Sequence, residues 1–108
     1  MRYITKQEAN HIIYDICQSH KVNNVLYDEN DYYRSAEQAG DVAAYNIYIK
    51  RDFDNQTETL LFSGRIRVMP NYMTSDELLL YADKCKNVAL CIQELNSTFQ
   101  NICVNIKE

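Results

Sequence analysis

Glycine and proline are nearly missing: the 108 residues hold two glycines, Gly40 and Gly64, and one proline, Pro70. A phosphate-cradling loop needs several glycines close together, so that class of nucleotide site is excluded. Tryptophan is absent, and basic residues are outnumbered, 11 against 15 acidic ones, for a net charge of −4. Proteins that grip a phosphate backbone draw affinity from clustered Lys and Arg, so direct nucleic-acid binding is not expected. No stretch approaches the roughly 20 apolar residues that span a bilayer. The first apolar run, Ile12-Ile13-Tyr14, is broken by Asp15 and has no secretory-signal character. The expected setting is cytoplasmic, without a membrane.

Catalytic and metal signatures are missing too. There is no G-x-S-x-G elbow and no H-E-x-x-H pair. Four cysteines (Cys17, Cys85, Cys91, Cys103) show no C-x-x-C spacing, so neither a zinc ribbon nor a redox motif is indicated. They read as reduced thiols filling space like small apolar residues. Cys17-x-x-His20 would be half a metal site with no other half. Asp28-x-Asn30-x-Tyr32 and Asp52-x-Asp54-x-Gln56 lack the glycine and the twelfth-position acid of a calcium loop, and read as turn formers. No metal, cofactor or catalytic group is expected.

What is present is a globular composition, 46% hydrophobic and 24% charged, in one domain over residues 1–108. Thr5-Lys6-Gln7-Glu8 has the form of a capping box, followed by Ala9, Ile12, Ile13, Ile16 and Cys17 at helical spacing, which predicts a helix over about 6–20. Val25-Leu26-Tyr27 reads as a short strand, and Ser35 to Ala39 as a helical turn ended by Gly40. From Val42 the period becomes two. Ala43, Tyr45, Ile47 and Ile49 share one face, and Ala44, Asn46, Tyr48 and Lys50 the other. Residues 52–56 read as a loop, and a return strand begins near Thr57, with Leu60, Phe62, Gly64, Ile66 and Val68 opposite Leu61, Ser63, Arg65, Arg67 and Met69. This central hairpin occupies about 42–69, since Pro70 ends it. Thr74 and Glu77 form a second capping box. Leu78, Ala82, Cys85, Ala89, Ile92 and Leu95 then trace an amphipathic stripe, predicting a helix over about 75–96. Ile102, Val104 and Ile106 suggest a closing strand. The expected fold is α+β: a small, mostly antiparallel sheet of three to four strands with the two helices on one face.

Two surface features carry functional readings. Tyr48, Lys50, Arg65 and Arg67 fall on one sheet face, where they would form an anion or nucleotide platform, or else an ordinary solvated face. The segment Tyr27-Asp28-Glu29-Asn30-Asp31-Tyr32-Tyr33 joins three acids to three tyrosines. Tyrosine gives rigid contact area with a polar tip, and carboxylates steer toward a basic surface. Tyr27, Asp28, Glu29, Asp31, Tyr32 and Tyr33 are therefore the expected partner-binding residues. Over its whole length, in size, acidity and lack of catalytic motifs, the chain resembles the small phage and mobile-element inhibitors of the anti-CRISPR type. That resemblance implies a non-catalytic protein that binds a CRISPR nuclease and blocks its nucleic-acid surface or guide loading. The same physics would serve an immunity protein or antitoxin capping a basic toxin. The exposed edge of a small sheet would also allow a homodimer.

Overall fold

The structure, a computed structural model, describes residues 1–22, 37–39, 43–68 and 72–106; for 37–39, 43–46, 48 and 65–68 it describes the backbone. Seven elements follow in chain order: β1 (Arg2–Thr5), α1 (Lys6–Ser19), β2 (Glu37–Ala39), β3 (Ala43–Asp54), β4 (Thr57–Val68), α2 (Ser75–Phe99) and β5 (Ile102–Asn105). The strands form one sheet in the order β1-β5-β4-β3-β2. The α+β class and the two helices on one side agree with the sequence. The sheet itself is mixed, not mostly antiparallel, because β1 lies parallel to β5, with Ile4 opposite Val104. Four residues running straight into a helix cap carry no alternation that would reveal such a strand. A second correction concerns residues 37–39, which pair antiparallel with β3 and are not a helical turn.

Both helices start where the capping boxes place them. The Thr5 hydroxyl accepts from Glu8 N–H at 3.0 Å while Thr5 N–H donates to Glu8 Oε1 at 3.0 Å. Thr74 and Glu77 repeat this at 3.2 and 2.8 Å. Each box satisfies two of the orphan donors of a first turn. The end of α1 is made without glycine. Lys21 takes φ 57°, and the Val22 and Lys21 amides donate to the carbonyls of Cys17 and Gln18, the pattern of a Schellman closure.

The core lies between the helices and the inner sheet face. Ala9, Ile13, Ile16 and Cys17 of α1 meet Val88, Cys91, Leu95 and Phe99 of α2 over Ile47, Ile49, Leu60, Phe62 and Val104. The α2 stripe is rotated from the expected one. Leu78, Ala82 and Ala89 are exposed, while Tyr81, Cys85 and Ile92 pack against the core beside the four buried positions. Apolar residues occur all round this helix, so several stripes fit its sequence. Phe99, packed on Phe62 at a ring distance of 5.3 Å, decides the rotation and carries the helix beyond residue 96.

Two features let α2 lie on β4. At Gly64 a Cβ would stand 3.0 Å from Ile92 Cδ1, so the missing side chain admits the helix. Asn96 fills a gap in the ladder. β5 pairs with β4 only at Thr57 and Glu58. Farther along that edge Asn96 Oδ1 accepts from Phe62 N–H at 2.7 Å, and its Nδ2 donates to Phe62 C=O at 2.8 Å. One amide side chain thus supplies both bonds a neighbouring strand would make.

Gly64→Val is expected to cost about 1–3 kcal/mol through overpacking against α2. Ile92→Val should return part of that loss in the double variant, as read by urea unfolding. The hydrogen bonds from Thr5, first its backbone N–H and then its hydroxyl, hold the Glu8 carboxyl below its ordinary value, and Thr74 does the same for Glu77. A depressed carboxyl contributes stability that is present above the unfolded value near 4.5 and lost as pH falls through the folded one. Helical circular dichroism should therefore weaken as pH drops from about 5 to below 4, and less so in Thr5→Ala/Thr74→Ala.

Candidate functional site

The hairpin β3–β4 ends in a tip whose residues are exposed from Asp52 to Gln56. The strands run on to pair Asp54 with Thr57, leaving a loop of two residues, Asn55 and Gln56. The expected five-residue loop is thus mostly strand: cross-strand pairing overrides the turn preference of Asp52 and Asp54. Asn55 takes φ 55°, the left-handed conformation that tight hairpins demand and that Asn tolerates. The loop is tied down by Ile106 N–H, which donates to Gln56 C=O at 2.7 Å, and by the Thr57 hydroxyl, which donates to Asp54 C=O.

Beneath the tip lies a buried ion pair. Arg51 Nε and Nη2 donate to Glu58 Oε2 and Oε1 at 2.6 and 3.0 Å. Their side chains are 3% and 0% exposed. Removal from water pushes the Glu58 carboxyl up to about 7, against the opposing field of Lys6. The bidentate guanidinium also opposes that rise, because an adjacent cation favours the carboxylate. The Arg51 guanidinium carbon in turn lies 4.9 Å from the centre of the Phe53 ring, within cation–π reach. Phe53 is held from below by Arg51, flanked in sequence by Asp52 and Asp54, and 56% exposed.

Tyr27, Asp28, Glu29, Asp31, Tyr32 and Tyr33 lie outside the described residues, as does the expected strand at Val25-Leu26-Tyr27. Lys50 is exposed, and the register sets Asn46 opposite Arg65 and Ala44 opposite Arg67. Residues 48, 50, 65 and 67 therefore occupy positions of one sheet face, away from Ile47, Ile49 and Phe62. The side chains of Tyr48, Arg65 and Arg67 are outside the described part. His20 Nε2 lies 2.7 Å from Glu94 Oε1 and ties the end of α1 to α2, while His11 faces Asp15 one turn away. Cys17 and Cys91 meet with sulfurs 3.8 Å apart. The hydrogen bond to Cys17, then burial, raise the Cys91 thiol far above its ordinary value, which leaves it a core residue without nucleophilic character. Among the described residues no group of three or more His, Cys, Asp or Glu is placed to hold a metal ion, and no helix is long and apolar enough to cross a membrane.

Sequence reading missed the tip because its parts look ordinary. Arg51 and Glu58 stand seven positions apart, and only the hairpin register brings them together. An Arg and a Glu at inward positions of an otherwise apolar strand face were the available signal. Comparison of the chain with protein families, curated proteins and solved structures finds no match.

Glu58→Gln leaves the Arg51 charge buried without its counter-charge and should cost about 3–5 kcal/mol in urea unfolding. Arg51→Met/Glu58→Leu should recover most of it. A loss below about 1 kcal/mol in the single variant would mean that Glu58 is carried protonated.

Proposed function

We propose that this protein is a non-catalytic binding protein that acts by occupying a basic surface of a protein partner, with the hairpin tip as one contact. The observation that carries the reading is Phe53: a large apolar ring, exposed and lying over Arg51, at a tip whose other strand face presents the exposed Asp52 and Asp54. A pre-ordered aromatic loses little entropy on binding, which suits it to anchor an interface. Asp52 and Asp54 supply the steering field, consistent with the overall charge of −4. The acidic aromatic segment Tyr27–Tyr33 has the same chemistry and belongs to the same reading. Carboxylates compete with phosphates for Lys and Arg, so a nuclease with a basic nucleic-acid channel is the fitting partner. A CRISPR nuclease blocked at its channel or at guide loading is the first candidate, and a basic toxin nuclease the second.

The test is binding of the purified chain to a panel of such nucleases by surface-immobilised kinetics. Asp52→Ser/Asp54→Ser should slow association and flatten its salt dependence, whereas Phe53→Ala should speed dissociation by about tenfold or more. The melting temperature should hold for Asp52→Ser/Asp54→Ser, whose side chains are exposed, and fall only slightly for Phe53→Ala, which gives up the contact with Arg51. A parent that binds no member of the panel, or tip variants that bind as the parent does, would remove the assignment.

A further inference from the structure

The outward face of α2 carries a row that is complementary to itself. Leu79, Asp83, Lys86 and Leu90 recur at spacings of four, three and four, so they lie on one side of the helix. That side is opposite Val88, Cys91, Leu95 and Phe99, which are buried. All four residues of the row are exposed, Leu79 at 70% and Leu90 at 42%. Ala82 and Ala89, also exposed, flank it with short side chains that let another backbone come close. The pattern has a centre: Leu79 and Leu90 are equally far from the midpoint between Lys84 and Cys85, and so are Asp83 and Lys86.

We propose that α2 pairs with α2 of a second copy of this chain, antiparallel about a two-fold axis at that midpoint. Rotation about the axis brings Leu79 onto Leu90 of the partner subunit and Asp83 toward Lys86 of the partner subunit, and each contact occurs twice. A parallel pairing would set like charges together, Asp83 against Asp83 and Lys86 against Lys86, and is disfavoured. The symmetry of the row is what selects a second copy over an unrelated helix, whose charges have no reason to match it. One helix pair buries less than the roughly 1,600 Å² of a standard interface, so the dimer is weak and reversible.

Sedimentation velocity of the full chain, from low to high micromolar concentration, tests it. The parent should shift from monomer to dimer. Asp83→Lys alone makes all four central charges positive, and Lys86→Asp alone makes them all negative. Each should weaken the dimer at least about tenfold, with circular dichroism reporting an intact helix. An equimolar mixture of the two variants restores both ion pairs and should dimerise again, as should the double variant D83K/K86D. A parent that stays monomeric throughout, single variants that dimerise as the parent does, or a mixture that fails to recover, would each overturn the proposal.

Discussion

The pairing of Arg51 with Glu58 is the constraint around which this fold is arranged. Neither ion can leave water alone at tolerable cost, so the sequence is committed to a hairpin register that brings them together. That register fixes more than the pair. It places Ile49 beside Phe62 and Ile47 beside Gly64, and so assembles the apolar face on which α2 lies. Glu58 also stands opposite Val104, which binds the short β5, and through it β1, to the hairpin. A slip of one residue would turn the apolar face outward and strand both charges.

The helix layer follows from how closely α2 can approach. A strand of twelve residues spans about 40 Å and a helix of twenty-five about 38 Å, so α2 and β4 match in length. Among the described side chains the close contacts fall where Gly64 opens space and Asn96 reaches the strand. There the helix is buried at Val88, Cys91, Leu95 and Phe99. In the other half no position from Ser75 to Asn87 is fully buried, and Tyr81 and Cys85 pack against the edge of the core. The leucines of this half are thus left for other uses.

Much of this is legible in the sequence alone. Both capping boxes mark helix starts at Thr5 and Thr74, because the signal is local: a hydroxyl and a carboxyl three residues apart. The alternation of β3 and β4 puts Ile47 and Ile49 on one face and Leu60 and Phe62 on one face, because a period of two has a single reading; the structure shows that these faces form the core. What escaped was whatever depends on contacts distant in sequence. The parallel strand β1 is defined by β5, a hundred residues away. The rotation of α2 is set by Phe99 against Phe62. The tip became visible only once register joined Arg51 to Glu58. The charge row on α2 could have been read from spacing alone, but only the structure separates the outward side from the buried one.

Asn96 has a consequence for how such a molecule survives at high concentration. Twelve-residue strands with an uncovered border invite addition of further strands, the route to fibrils. By occupying both backbone groups of Phe62, one carboxamide interrupts that border where the hairpin is most apolar. Growth by strand addition is blocked at that point of the border.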